Sequence, residues 1–297
     1  MRESFLFVIN PNAGTNLGRE AGSMATLLEQ KAKEAGHDAR CVVTRSLGHA
    51  TELAAVASAN KQFGTVVAVG GDGTVNEVAR ALLHSQVALG ILPLGSGNGL
   101  ARHLGIPLPL PAALDHLWKS VPMTIDSATL NFQPFFCVAG LGFDAYVSQL
   151  FGQQTQRGWD TYVKVSMKAY LDFLPQRIKI QGQDAEVFSL SFANAGQFGN
   201  NAWVAPQADL TDGLLDVCTV APFPKWFGAA LAFQLFTKSL KTSTYVTYQS
   251  LTKLTVETEG PALVHYDGEP WQLETNRIEV GIVPGSLRVR ALRLRSV

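Results

Sequence analysis

Cysteine is scarce in this chain: Cys41, Cys137 and Cys218 are the three among 297 residues. They stand far apart in apolar or strand-like runs and form no Cys-x-x-Cys pair, which argues against a disulfide framework and against a zinc ribbon. Packed, reduced thiols are the expectation, and with them a cytoplasmic setting. Net charge is missing too, since 24 Lys plus Arg balance 24 Asp plus Glu. No bulk field recruits nucleic acid or holds the chain on an anionic bilayer, so any such contact has to be local. No apolar run approaches the ~20 residues a spanning helix needs. The most lipid-like stretch, Trp226 to Phe236, is bracketed by Lys225 and Lys238 and reads as a helix buried on one side. The segment Met1–Asn10 enters a strand directly, and its apolar run is too short and acidic for a signal peptide. Internal repeats and low-complexity linkers are absent as well. An ordinary enzyme composition is left, 46% hydrophobic. Single cores rarely grow past about 250 to 300 residues, so two domains are expected.

The first 120 residues alternate short β-branched runs (4–9, 39–44, 65–69, 88–93) with helical patterns at about 17–35, 48–61 and 74–84. Such alternation predicts a parallel sheet with helices on both faces and ligands at the carboxyl ends of the strands. After Pro122 the texture changes to alternating strands at 125–131, 135–139, 177–182, 186–193, 214–220, 245–249, 253–257 and 278–283, with helices inserted near 155–174 and 224–240. That spacing predicts an antiparallel β-rich second domain. The expected boundaries are 1–122 and 123–284, with 285–297 packing back onto the first.

Three predicted strand ends carry loops suited to phosphates: Asn10-Pro-Asn-Ala-Gly14, Gly70-Gly-Asp-Gly-Thr74 and Leu94-Gly-Ser-Gly-Asn98. In the second, Gly70, Gly71 and Gly73 are expected to take positive φ and approach a ligand, and the helix behind them offers unpaired N–H groups. Thr74 and Glu77 have the spacing of a capping box. Asp72, set among the glycines, is a hard carboxylate donor for Mg²⁺, with bound phosphates completing the shell. Singly, each loop is also an ordinary turn. Further along, Asp209-Leu-Thr-Asp212-Gly-Leu-Leu-Asp216 reads as a turn before a strand or as a cation site. Asp267-Gly-Glu269 reads as a hairpin turn with a solvated acidic flank.

These five motifs occur in the order and approximate spacing of the diacylglycerol kinase catalytic-domain family, which includes the bacterial soluble lipid kinases and the sphingosine and ceramide kinases. The resemblance spans Asn10 to Glu269. It implies an ATP-dependent, Mg²⁺-requiring kinase acting on a lipid hydroxyl. The implied fold is an α/β nucleotide domain like that of NAD kinase and phosphofructokinase joined to an antiparallel β-sandwich, with the active site between them. By the same resemblance Glu269 is the general base and Asp72 arranges the metal, while Asp267 helps hold the metal or water network. Asn10, Asn12, Thr44, Gly70, Gly71, Gly73, Thr74, Asn76, Gly95, Ser96 and Asn98 surround the nucleotide. A second, non-catalytic Mg²⁺ is implied on the Asp212 side chain and the carbonyls of Asp209 and Leu214.

One departure concerns the lipid: many members carry Asn-Asp where this chain has Asn98-Gly99, so diacylglycerol and sphingoid acceptors both stay open. An NAD kinase lacks support because its later Asn-Asn-Ala-Asp type motif is absent. A phosphofructokinase would continue Thr124-Ile-Asp126 differently, and here that triplet reads as the start of the β domain. A non-catalytic nucleotide-binding regulator would have lost the carboxylates that Asp72, Asp267 and Glu269 supply. The partners implied are ATP, a lipid alcohol and a transient membrane surface, with no nucleic acid and with a homodimer allowed; the protein is then cytoplasmic and peripheral at the membrane. Two segments could meet a bilayer: Phe223 to Phe233, which presents aromatics or packs as core, and the basic tail Arg288, Arg290, Arg293, Arg295, which is equally an edge strand. Asp72→Asn is expected to leave folding intact and to remove turnover.

Overall fold

The computed structural model describes residues 2–14, 17–154 and 158–292. The chain divides into two compact units, Met1–Ile125 with Gly285–Val297, and Asp126–Pro284. The first runs β1 (Ser4–Ile9), α1 (Leu17–Glu34), β2 (Asp38–Val43), α2 (His49–Asn60), β3 (Thr65–Gly70), α3 (Asp72–Ala81), β4 (Ala88–Pro93), α4 (Gly99–His103) and α5 (Leu110–Lys119). Strand β5 (Val121–Leu130) carries the chain into the second unit. There follow β6 (Gln133–Phe135), β7 (Val138–Gly142), α6 (Phe143–Gly152), α7 (Trp159–Asp172), β8 (Gln176–Ile180), β9 (Gln183–Val187), β10 (Ser189–Ala193) and β11 (Leu215–Val220). The last elements are α8 (Gly228–Phe236), β12 (Val246–Leu251), β13 (Lys253–Thr258), β14 (Leu263–Tyr266), β15 (Glu269–Gln272) and β16 (Arg277–Ala291), which ends in the first unit.

In the first unit the strands lie parallel in the order β2-β1-β3-β4. Every residue of β3 and β4 is buried, as the uninterrupted apolar runs require for strands covered on both faces. Edge strand β2 alternates instead. Because β1 has β2 on one side and β3 on the other, the direction in which successive strands are added across the sheet reverses there, the position where open α/β sheets leave a crevice.

The tail of β16 belongs to this unit. Val289 pairs with Leu89, and Arg290, 4% exposed, forms an ion pair with Glu3 at 3.0 Å and stands over the Phe5 ring. Arg288 donates to the Gln86 carbonyl at 2.9 Å. The reading of a headgroup-facing tail is therefore corrected at Arg290: a buried guanidinium needs partners, and Arg290 has them. Arg293 and Arg295 lie outside the described residues.

The second unit is a β-sandwich. One antiparallel sheet has the order β12-β11-β10-β7-β14-β15. The other joins β8, β9, β13 and the start of β16. Between them lies an apolar core that includes Leu130, Phe135, Leu141, Phe192, Val217, Val256, Val264 and Ile278. The run expected as one strand over 186–193 is two strands in different sheets. They part at Phe188, whose ring stacks on Phe143 and packs against Phe173 and Phe223. Among the described residues no helix is long and apolar enough to cross a membrane.

Candidate active site

The loops at the carboxyl ends of β1, β3 and β4 are tied to one another. Asn10 Nδ2 donates to Thr74 Oγ1 at 2.9 Å, the Asn10 N–H donates to the Val69 carbonyl, and Asn10 Oδ1 accepts the Asn12 N–H. Thr44 closes β2 with its N–H on the Ile9 carbonyl and is half-buried. The β3 and β4 loops touch backbone to backbone: a Cβ on Gly95 would lie 2.5 Å from the Gly71 Cα, and one on Gly97 would lie 2.7 Å from an Asp72 carboxylate oxygen. Glycine is needed here for close packing. The expectation of positive φ at Gly70, Gly71 and Gly73 is not met; Gly71 has φ −92°. In this region the left-handed residue is Asn98, with φ 53°, whose amide accepts the Gly95 N–H at 3.0 Å and donates to the Gly95 carbonyl at 2.7 Å.

Asp72 organises this crossing. Its Oδ2 accepts the Asn98 N–H at 2.8 Å and its Oδ1 the Gly99 N–H at 2.7 Å, so the carboxylate caps α4 across the gap between loops. Burial raises its pKa above the ordinary carboxylate value, opposed by those two N–H donors and by Arg102. The capping box is replaced by other contacts. Helix α3 starts at Asp72, Thr74 is buried against Asn10, and Glu77 Oε2 accepts the Ala50 N–H at 3.2 Å in the first turn of α2. Asn76 is buried with its Nδ2 unpartnered among the described residues. Gly73 and Ser96 are exposed, at a helix start whose first N–H groups have no partner within the helix.

In the second unit, Asp267 and Gly268 both have positive φ, 49° and 86°, and Tyr266 pairs with Glu269: a two-residue type I′ hairpin between β14 and β15. The Asp267 carboxylate accepts three backbone N–H groups, from Phe136 at 2.8 Å, Cys137 at 2.7 Å and Val138 at 3.1 Å. It anchors the turn to the start of β7. Glu269, two residues on, is exposed, and its carboxylate has no partner among the described residues.

The segment 209–216 holds a cluster of acids. Asp209 Oδ1 accepts the Thr211 N–H and Asp212 Oδ1 accepts the Leu214 N–H at 2.9 Å. The Asp212 pKa is raised by burial first and then by the negative charges of Asp209, Asp216 and Asp126. Asp126, 3% exposed, holds this loop by accepting the Gly213 N–H at 2.8 Å and donating its own N–H to the Leu210 carbonyl. Reading Thr124-Ile-Asp126 only as the start of a β domain passed over this residue; a lone charged residue inside a strand was the available signal. Among the described residues no three His, Cys, Asp or Glu side chains assemble as a metal-holding group. The donor set on offer is one carboxylate with backbone carbonyls in a negative field, which suits a hard divalent cation.

The diacylglycerol kinase catalytic domain model matches residues 4–130, and that of the YegS C-terminal NAD kinase beta sandwich-like domain matches residues 137–291. A protein of Pseudomonas aeruginosa (strain UCBPP-PA14) named "Probable lipid kinase YegS-like" is 32% identical over 281 residues, covering 92% of this chain and 91% of its own. A diacylglycerol kinase of Bacillus subtilis (strain 168) is 30% identical over 223 residues, 71% of each chain. The crystal structure of a diacylglycerol kinase from Bacillus anthracis str. Sterne shares the fold, with TM-score 0.74 at 22% identity over 98% of this chain and 97% of that one. The chain belongs to the diacylglycerol kinase catalytic-domain family and carries that family's YegS-type sandwich domain.

Proposed function

We propose that this protein is an ATP-dependent lipid kinase, transferring the γ-phosphoryl group to the hydroxyl of a diacylglycerol-like or sphingoid lipid. The observation that carries the reading is the Asp267-Gly268-Glu269 hairpin: Asp267 fixes the turn through three backbone N–H groups, which leaves the Glu269 carboxylate free on a rigid support. Glu269 takes the proton of the lipid hydroxyl as its oxygen attacks the γ-phosphorus, and ADP leaves. Phosphate oxygens are received by the N-terminal N–H groups of α3 and the Ser96 hydroxyl. Asn10, Thr74, Gly71, Gly95 and Asn98 hold those loops in register, and Asn12 and Thr44 flank them. Mg²⁺ carried with the nucleotide would neutralise phosphate charge, and Asp72, whose oxygens already accept the Asn98 and Gly99 N–H groups, is the carboxylate that would face it from beside those loops. Asp212 with the carbonyls of Asp209 and Leu214 would hold a second Mg²⁺, whose charge would offset the repulsion among the acids there.

Transfer of labelled phosphate from ATP to a panel of diacylglycerol, monoacylglycerol, ceramide, sphingosine, phosphatidylglycerol and NAD tests this reading. Transfer to one or more lipid alcohols, abolished by chelating Mg²⁺, is expected. Transfer to NAD alone would overturn it in favour of a small-molecule kinase, and ATP binding without transfer in favour of a regulator.

A further inference from the structure

The second unit buries an acid and an imidazole that the proposed transfer leaves without a task. Asp144, the second residue of α6, turns Oδ2 onto the sheet, where it accepts the Ser191 hydroxyl at 2.9 Å and lies 3.2 Å from His265 Nε2. His265 is 1% exposed, and its Nδ1 has no partner among the described residues. Ser191 in β10 and His265 in β14 flank Gly140 of β7, and each is paired with it. A Cβ on Gly140 would lie 2.5 Å from Asp144 Oδ2 and 3.2 Å from His265 Nε2, so the glycine is what admits the carboxylate. A buried acid and imidazole are costly unless their bonding is complete, and here the ring is only half answered. Stability alone is a weak reason for such a cluster.

Its place in the fold supplies another. His265 lies opposite Pro270 in the β14–β15 ladder, and Tyr266, the next residue, lies opposite Glu269. Strand β15 is four residues long, ends its sheet among the described residues, and has in Pro270 a residue without an N–H. Its supports are β14 beside it and α6, which packs over β7, β14 and β15. At the far end of α6 a Cβ on Gly152 would lie 3.6 Å from Pro270 Cγ. At the near end Phe143 stacks on Phe188 with ring centres 4.7 Å apart and meets Phe173 and Tyr170 edge-on. Phe223 joins that cluster, whereas Trp226 and Phe233 stand 78% and 68% exposed, so the stretch expected as a helix buried on one side is buried only in part. The hairpin is thus held twice. Asp267 fixes its turn through backbone N–H groups at the start of β7, and Asp144 fixes its strands from α6 through His265.

We infer that Asp144 is a positioning residue for Glu269: through His265, and through the seat of α6 on Pro270, it sets where the Glu269 carboxylate stands. The inference rests on the lipid-kinase reading for its effect on turnover and on geometry alone for its effect on the hairpin. Two measurements on the full chain test it. In hydrogen exchange, Asp144→Ala should speed the amides of β14 and β15 by roughly tenfold or more, with β3 and β4 of the first unit unchanged. In transfer to the lipid panel, Asp144→Ala should lower kcat by up to about 10²-fold, the effect of a misplacement on the order of 1 Å, with KM for ATP unchanged. In a Glu269→Gln background the same substitution should lower kcat no further, because a positioning residue then has nothing left to position. Ser191→Ala, which removes one hydroxyl, should show the same pattern at smaller size and carries both readouts if Asp144→Ala does not fold. Wild-type exchange in β14 and β15, faster exchange spread evenly over the second unit, or an equal kcat loss in both backgrounds would overturn the inference. Faster exchange confined to β14 and β15, beside a wild type that transfers phosphate to no lipid, would sink the kinase reading and leave the brace standing.

Discussion

The two acidic motifs solve the same problem in opposite ways. In the first unit one carboxylate, Asp72, both stands in the glycine loops and holds them together, each oxygen accepting a backbone N–H at the start of α4. In the second unit the work is divided: Asp267 accepts three N–H groups and anchors the hairpin, while Glu269 is left without a partner. An acid already bonded to backbone cannot be removed without moving the loop, whereas a free one can. Stability and activity should therefore separate cleanly at Glu269, in part at Asp72, and not at all at Asp267.

The sharpest test of that contrast is Glu269→Gln, expected to lower kcat by about 10²- to 10⁴-fold, the range of a lost general base, with an unchanged Tm. Full activity, or a Tm loss, would break the comparison. Asp267→Ala leaves three N–H groups in and near the start of β7 unanswered and should cost about 3 kcal/mol or more, seen as a lower denaturant midpoint. Asp72→Asn is expected to do both: its NH₂ faces one of the two N–H donors, costing about 2 kcal/mol in denaturant unfolding, and turnover falls as well. The expectation that this variant folds unharmed is replaced by the geometry.

Asp212→Asn should have the smallest effect. Because the Asp212 pKa is raised in the folded chain, the native state holds that proton more tightly than the unfolded one. Its contribution to stability thus falls as pH rises from the ordinary carboxylate value through the raised one, and stays lower above it. The Asn variant keeps the bond from Leu214 and should raise the Mg²⁺-free Tm at neutral pH by ~2 °C or less. A Tm gain on adding Mg²⁺ is expected for wild type and not for this variant, a scan with and without the cation deciding both points.

Much of this was legible in advance where a residue's neighbours are its neighbours in sequence. Uninterrupted apolar runs at 65–69 and 88–93 gave buried parallel strands, and alternation after Pro122 gave a sandwich. Short elements escaped: β14 and β15 have four residues each, one of them Pro270, too few for a periodic signal. The break at Phe188 also escaped: the apolar pair Val187-Phe188 interrupts the alternation there, but the aromatic cluster around Phe143, remote in sequence, is what draws that ring out.

The sequence by itself determined the class of each domain, the order of the five motifs, and the turn chemistry of Asp267-Gly268, since these depend on side-chain periodicity and local φ preference. Only the tertiary structure decided what the side chains in those motifs do. Glu77 caps α2 and Arg290 is buried beside Glu3. Asp267 reaches backbone about 130 residues away in the chain. Such partners are set by which loops the sheets bring side by side, and a backbone N–H carries no residue identity by which a sequence could announce it.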